Sequence, residues 1–279
     1  MRLIEPSVEI IKQYDDLIGI FKHIEKCGRT CYQSYDKMDE TSYLKFVQMI
    51  QSKGHLSVFE HGTVYLKIPS TEVNLIKYPG RADSLITNKY TKYRYNLEDG
   101  IYYVTTNFRV IKENSFEDLM QYICEPTEYH YKRTTVKFIL PIGISREFCR
   151  HRVFSFSEQS TRYCNFSLNK FNNEITFIIP TWIKDTNSEK YSIFLEQLKS
   201  SEIAYFELIK DGCKPQEARD LLPLSTKSEL IMTGFDEDWK QFLELRCSPY
   251  AHPDARKIAN MLKNEFNKTS QEFNKTNKN

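Results

Sequence analysis

From Arg150 to Tyr163 the chain reads RHRVFSFSEQSTRY: three arginines, one histidine, one glutamate, two phenylalanines and four serine or threonine hydroxyls, without glycine or proline. A planar guanidinium makes paired, charge-assisted hydrogen bonds to phosphate or carboxylate, so the stretch predicts an anion site. Two further cations have suitable settings, Arg219 in QEARDLLP and Arg246 at the end of WKQFLELR. A nucleoside monophosphate brings about two negative charges, and a dinucleotide cofactor adds more. Holding both requires cations that converge from separate segments. Arginine clusters commonly form solvated faces of little energetic weight. Here Phe148, Cys149, Val153 and Phe154 predict a partly buried segment, where charge must be paired.

Other chemistries find less support. G-x-S-x-G, Walker and G-x-G-x-x-G templates are absent, so any dinucleotide must be held by arginines and not by a glycine-rich turn. Ser160 has no histidine beside it in sequence, which predicts a positioning role over a nucleophilic one. Cys149 and Cys247 flank the site arginines and leave a thiol nucleophile conceivable. No histidine pair has the spacing of a zinc hydrolase, and no metal is expected. His23 and His130 read as surface residues, and His55, Glu60 and His61 in KGHLSVFEHG as a turn with satisfied histidines.

The 279 residues carry a formal charge of +2, which argues against a general nucleic-acid binder; 40% hydrophobic content is enough for a substantial core. Seven scattered cysteines without a C-x-x-C pair read as reduced thiols. The N-terminus lacks a signal-peptide pattern and no run reaches the roughly 18 apolar residues of a membrane span. The expected location is cytoplasmic.

The elements that must position these residues follow from periodicity. RLIEPSVEII, TVYLKI, IYYVTTNFRVI, TVKFILPIGI, EITFIIPTWI and SELIMTG read as strands. DDLIGIFKHIEKC reads as a helix, as does DETSYLKFVQMIQSKGH with Asp39 or Thr41 as cap, Leu44, Phe46, Val47 and Ile50 as apolar face and Gly54 as stop. A turn is expected over 78–84. SREFCRHR reads as a helix capped by Ser145, with Arg146 and Arg150 on one face and Arg152 about 200° beyond Arg150. If the following residues are extended, Glu158, Ser160 and Arg162 share one side. SEKYSIFLEQLKSSEIAYFELIKDGC reads as the longest helix; QEARDLLP, DEDWKQFLELR and DARKIANMLKNEF supply three more. Blocks of helices and strands without strict alternation indicate an α+β fold. Residues 1–264 read as a single domain and 265–279 as a polar, disordered tail.

RHRVFSFSEQSTRY also resembles the signature of the flavin-dependent thymidylate synthases, RHR followed seven residues later by Ser. The match is Arg150, His151, Arg152 and Ser160, extended through Ser155, Glu158, Arg162 and Tyr163. KGHLSVFEH, EARDLLPL, FLELR and GRTCY are similar to further blocks of that family, in the same order. The resemblance covers most of 1–70 and 134–262, with about 71–133 as an insertion. It implies an α+β fold with a mixed or antiparallel sheet, a homotetramer with interface active sites, and methylation of dUMP to dTMP. Methylenetetrahydrofolate would give the carbon, and FAD, re-reduced by NADPH, the hydride.

Carried onto this chain, the resemblance implies Arg150, His151, Arg152, Glu158, Ser57, Cys31, Glu60 and Gln241 at FAD. It implies Glu147, Arg150, Glu158, Gln159, Ser160, Thr161, Arg162, Arg219 and Arg246 at dUMP. Arg246, Ser160, His55 and Arg162 would serve the reaction, Arg246 by favouring ionisation at N3 of uracil. Three features depart from the pattern: the insertion; Glu147 where glutamine is common; and Phe235, Glu237 and Gln241 in place of Asn, Arg and Asn. The competing expectation is a non-catalytic nucleotide- or RNA-binding relative, with Phe154 and Phe156 as stacking platforms.

Overall fold

TVKFILP forms the strand around which the rest is built, with Val136, Phe138 and Leu140 on its core face. The computed structural model describes residues 1–73 and 80–276, with side chains through residue 268. The chain opens with β1 (Arg2–Ile4), β2 (Ser7–Ile11), α1 (Leu17–Arg29), α2 (Ser42–Ser52) and β3 (Thr63–Pro69). Then come α3 (Arg81–Ile86), β4 (Lys92–Asn96), β5 (Ile101–Asn107) and α4 (Phe108–Glu113). The central part holds β6 (Arg133–Pro141), α5 (Ile142–Phe148), β7 (Ser155–Glu158) and β8 (Thr176–Ile178). The last part holds α6 (Glu189–Lys210), α7 (Pro215–Ala218), β9 (Lys227–Phe235), α8 (Asp236–Arg246) and α9 (Pro253–Thr276). The α+β expectation holds: an antiparallel sheet ordered β2-β6-β9-β7, a second antiparallel sheet ordered β3-β5-β4, and a parallel pair β1-β8.

The three larger cores among the described residues follow from the periodicities. Val136, Phe138 and Leu140 on one face of β6 pack with Phe148, Trp239, Phe242, Ile258 and Leu262 from α5, α8 and α9. The second core joins α1 and α2 to the β3-β5-β4 sheet through Ile24, Phe46, Phe59, Leu66 and Val104. The third places Leu198 and Tyr205 of α6 over Phe177 of β8. The 71–133 stretch is therefore integral: its strands β4 and β5 complete the sheet begun by β3.

Several local expectations are corrected. Leu44 is exposed and Tyr43 is buried in its place. Asp39 caps α2 from outside, accepting from the N–H groups of Thr41 and Ser42 at 2.8 Å each. The strand expected over IYYVTTNFRVI ends at Asn107, whose side chain accepts from Val110 N–H (3.1 Å) and starts α4. Helix α5 begins after Pro141, three residues before Ser145, so Ser145 is interior and not a cap. The turn expected over 78–84 lies partly outside the described residues; from Arg81 the chain is helix α3. The longest helix is α9, with 24 residues against 22 for α6. Helix α9 runs beyond residue 264 through Thr276, where a disordered tail was expected; Phe266 extends its apolar face, with its ring 6.0 Å from that of Trp239. Residues 277–279 lie outside the described ones.

His23 and His130 are also not on the surface: both are buried. His130 Nε2 lies 3.2 Å from the Leu66 carbonyl and its Nδ1 accepts from Thr127 N–H (3.0 Å). His23 belongs to a polar chain through the layer between the two sheets. Its Nε2 lies 3.0 Å from Thr135 Oγ1, which is 2.8 Å from Thr233 Oγ1. Thr233 Oγ1 is 2.8 Å from His61 Nδ1, and His61 Nε2 is 3.0 Å from Ser157 Oγ. Burial pulls the pKa of both His23 and His61 down to about 3, so both are neutral at physiological pH.

These histidines bind protons in the unfolded chain from about pH 6.5 downward but resist them when folded. Their folded pKa is depressed, so stability is full above the unfolded value and is lost as the pH falls toward about 3. The expected loss is about 1.4 kcal/mol per pH unit for each histidine below its unfolded pKa. Urea unfolding at pH 7 and pH 5, with His61→Gln as the comparison, measures it; an equal slope in protein and variant would contradict buried neutral imidazoles.

Candidate active site

The switch from β6 to α5 and from α5 to β7 places the arginine-rich stretch. Helix α5 ends at Phe148 with Cys149 as C-cap, so Arg146 lies on the helix and Arg150 beyond it. The two do not share a helical face as expected. Arg150 and Arg152 are exposed although their neighbours Phe148 and Phe154 are buried, so the segment anchors through its aromatics and projects its charges. Strand β7 stops at Glu158 and the chain turns, with Tyr163 and Cys164 N–H donating to the Ser160 carbonyl at 3.2 and 2.9 Å. The expected one-sided alternation of Glu158, Ser160 and Arg162 is broken by that turn. Arg162 is exposed and lies over the Tyr163 ring at 5.3 Å.

One cavity of about 300 Å³ gathers Ser145, Arg146, Glu158, Gln159, Ser160, Thr161 and Arg219. Four of these, Glu158 through Thr161, come from the signature, and Arg219 comes from the end of α7. The polar wall is fixed from behind. Glu158 Oε1 accepts from the Ser228 hydroxyl (2.9 Å), and Gln159 Oε1 accepts from Lys227 Nζ (3.0 Å). Ser160 N–H donates to the Cys31 carbonyl (3.0 Å) and Ser160 Oγ accepts from Arg162 N–H (3.3 Å). Arg146 and Arg219 are exposed and form no ion pair with a described residue. Such an arrangement can take a ligand with a phosphate at one end and hydrogen-bonding groups at the other.

Behind Gln159 stands a buried charge cluster that the sequence did not reveal. Glu229 takes Lys227 Nζ at 2.6 Å and Lys137 Nζ at 2.7 Å, and its Oε2 also accepts from the Tyr35 hydroxyl (3.1 Å). Burial alone would raise the Glu229 carboxyl, but the two lysines hold it down at about 2. Burial lowers Lys227, opposed by Glu229. The only advance signal was a Lys-x-Glu alternation at the start of β9, which puts both side chains on one face.

Arg246 lies elsewhere. Its Nη1 donates to Glu147 Oε2 (2.9 Å), its Nη2 to the Glu147 carbonyl (2.6 Å) and its Nε to His151 Nε2 (2.9 Å). His151 must accept through an unprotonated Nε2, in keeping with a pKa brought down to about 4 by burial and then by Arg246. Glu147 and Arg246 thus satisfy each other, and neither lines the 300 Å³ cavity.

Arg152 and Glu60 line a further cavity of about 580 Å³, together with Phe235 and residues of the 71–133 stretch. Glu60 accepts from Arg109 Nη1 (2.6 Å). Ser57, His55 and Gln241 are exposed and line neither cavity, and Glu237 pairs with Lys92. Cys31 is partly buried behind Ser160; burial raises its thiol, against hydrogen bonds from Ser157 and the Glu158 backbone. Burial also pushes Cys149 up to about 12 and raises Cys247, so neither offers a thiolate at neutral pH. The expected site arginines therefore do not meet in a single cleft within one chain: Arg219 lines the smaller cavity, Arg152 the larger one and Arg246 an internal clamp, while Arg150 and Arg162 are exposed and line neither cavity.

Residues 126–270, just over half of the chain, match the Thymidylate synthase complementing protein family, and the chain belongs to that family. Among curated relatives, the flavin-dependent thymidylate synthase of Thermococcus onnurineus is 30% identical over 127 residues, 46% of this chain and 51% of the relative. The flavin-dependent thymidylate synthase of Pyrococcus furiosus is 31% identical over 160 residues, 56% of this chain and 64% of the relative. The chain spans about half the length of the first of these relatives. A solved UMP/dUMP methylase from Streptomyces cacaoi, bound with 5-Br dUMP, aligns over 96% of this chain and 93% of its own at 17% identity, with a TM-score of 0.45.

Removing Lys227 leaves the Glu229 carboxylate with one cation instead of two and unties Gln159. Lys227→Met should destabilise the fold by about 3 kcal/mol, and adding Glu229→Gln should recover most of the loss. Denaturant titration of the two single variants and the pair measures this coupling; additive losses would show that the pair does not act as a unit.

Proposed function

We propose that the chain is a flavin-dependent thymidylate synthase. It would methylate dUMP reductively to dTMP with methylenetetrahydrofolate as carbon donor, as a cytoplasmic homotetramer. The observation that carries this reading is the 300 Å³ cavity, where Arg146 and Arg219, both without a carboxylate partner among the described residues, line the same space as the Glu158–Thr161 turn. Family membership and the names of the relatives support it.

In this reading Arg219 and Arg146 take the phosphate of dUMP, which suits their exposed guanidinium groups. Ser160 and Thr161 position the uracil, with Gln159 held in place by Lys227. Ser160 acts by position, since no base stands within hydrogen-bonding reach of its hydroxyl among the described residues. Arg162 and Arg150, both exposed, would reach the anion or a neighbouring subunit. Arg246 would stabilise an N3-ionised uracil. In a single chain it is clamped by Glu147 and lies outside the cavity, so this role requires a subunit contact that brings it to a neighbour's substrate and a release from Glu147. His55 and Ser57, both exposed, are available at such a contact.

The residues present fit FAD: Arg150 and Arg152 are exposed cations without carboxylate partners among the described residues. His151, Glu158, Ser57, Cys31, Glu60 and Gln241 complete the proposed set; Glu158 lines the smaller cavity and Arg152 and Glu60 the larger one, so the set would be gathered by a subunit contact. When bound, reduced FAD supplies the hydride and NADPH restores it.

The purified protein should be yellow, its flavin absorption should be bleached by NADPH, and it should form dTMP from dUMP and methylenetetrahydrofolate. Arg219→Ala should raise the KM for dUMP at least tenfold, consistent with loss of a charge-assisted phosphate contact. Ser160→Ala should keep measurable turnover. A colourless protein that FAD cannot reconstitute, with RNA binding that falls steeply with salt, would replace this reading with a non-catalytic binder.

A further inference from the structure

Gln159 is shared by two cavities. It lines the 300 Å³ cavity and also one of about 380 Å³, together with Arg2, Tyr35, Lys170, Phe171 and Lys227. The residue is only 5% exposed, so each end of its amide needs a partner or a ligand. Its main chain is pinned as well, since Gln159 N–H donates to the Glu229 carbonyl at 2.8 Å.

An amide side chain has an acceptor end and a donor end of nearly the same shape, and either can be turned toward a ligand. Lys227 removes that freedom. An ammonium group only donates, so the amide atom 3.0 Å from Lys227 Nζ must be the oxygen. The nitrogen is then the open end. Gln159 Nε2 forms no hydrogen bond with a described residue, and it is not among the sealed side-chain atoms that lack a partner, so it reaches open space. The lysine is itself held in place. Its Nζ lies 2.6 Å from Glu229 Oε1, and Glu229 Oε2 takes Lys137 Nζ at 2.7 Å and the Tyr35 hydroxyl at 3.1 Å. The Tyr35 hydroxyl is in turn 2.7 Å from Thr30 Oγ1. Lys227 lines the 380 Å³ cavity and not the 300 Å³ one, so the oxygen end of the amide is drawn to the former side.

We propose that Lys227 is a positioning residue for the substrate: through Gln159 Oε1 it turns the amide so that both N–H donors face the 300 Å³ cavity, which makes that part of the wall selective for an oxygen acceptor. The proposal deepens the thymidylate reading and rests on it for the ligand, dUMP, which offers acceptors at its phosphate and at its uracil carbonyls. The orientation of Gln159 does not depend on that reading. A ligand with an amino group at the same point is disfavoured, because two donors would be buried against each other.

The test is titration of the full-length chain with dUMP and, in parallel, with inorganic phosphate, alongside steady-state kinetics. Lys227→Met combined with Glu229→Gln removes the lock without stranding the carboxylate. The pair should weaken dUMP about tenfold, raising KM and leaving kcat within about twofold. Gln159→Leu should cost as much, and all three changes together no more than either, since the lysine then has nothing to orient. Lys227→Arg, another cation that only donates, should keep dUMP affinity within about threefold of the parent. A loss shared by inorganic phosphate names a phosphate oxygen as the acceptor; a loss confined to dUMP names a uracil carbonyl. Equal dUMP affinity in the Lys227→Met, Glu229→Gln pair and the parent, or losses that add when Gln159→Leu is included, overturn the proposal. Gln159→Leu leaves the charge cluster intact, so it should fold even if the pair does not, and unchanged dUMP affinity there is equally fatal. Lys227-dependent dUMP binding without dTMP synthesis would remove the enzyme reading and leave the positioning role standing. Synthesis of dTMP with Lys227-independent dUMP affinity would do the reverse, and no dUMP binding at all would remove both.

Discussion

Strand β9 is buried on both faces, and the polar groups it carries into the interior must all be paired. Its apolar side, Leu230 and Met232, completes the core under α8 and α9. Its other side carries Glu229, Ile231 and Thr233. Thr233 joins Thr135, His61 and His23 in one hydrogen-bonded chain, and Glu229 holds two lysines and a tyrosine. These two polar clusters fix the relation between the β2-β6-β9-β7 sheet and the helices and turns that precede β3. Through Lys227 and Gln159 the second cluster also fixes the polar wall of the smaller cavity. The site is thus preorganised by the need to satisfy buried charge, not by the flexible residues that line it.

The arginines divide according to what surrounds them. Arg246, at the end of α8, meets a carboxylate, a carbonyl and an imidazole and is consumed by them. Arg29, farther away, is likewise tied to Glu25 at 2.7 Å. Arg146, Arg150, Arg152, Arg162 and Arg219 have no such partners among the described residues. An exposed, unpaired cation costs little in water, and cations gathered at a cavity, as Arg146 and Arg219 are, raise the local concentration of anions. The chain has a nearly balanced charge of +2, so this asymmetry is a matter of placement.

The 71–133 stretch changes meaning when seen folded. It is an edge-to-edge continuation of β3, it contributes about half of one apolar core, and it walls the larger cavity. Glu237 on α8 meets Lys92 on β4, so the acidic residue is the partner of a strand that the stretch itself brings in.

By itself, the sequence determined the α+β class, most of the helices and strands, and the signature that lines the smaller cavity. These are legible because side-chain period and capping act over a few residues: Ser188 starts α6 by accepting from Tyr191 N–H, and Asp16 starts α1 by accepting from Gly19 N–H. Local pattern could not decide where α5 begins, because Pro141 supplies an extended N-cap and Ile142 fits either a strand or a helix. Tertiary structure alone decided the burial of His23 and His130, the Lys227–Glu229–Lys137 cluster, the Glu147–Arg246 clamp and the meeting of Lys92 with Arg133 across one cavity. Each includes partners tens to more than a hundred positions apart, such as Lys137 with Glu229, Glu147 with Arg246 and His23 with Thr135, and a charge or an imidazole looks the same in sequence whether its partner is water or a distant side chain. Whether it is paired depends on which strands become neighbours, and that is set by the packing of whole layers.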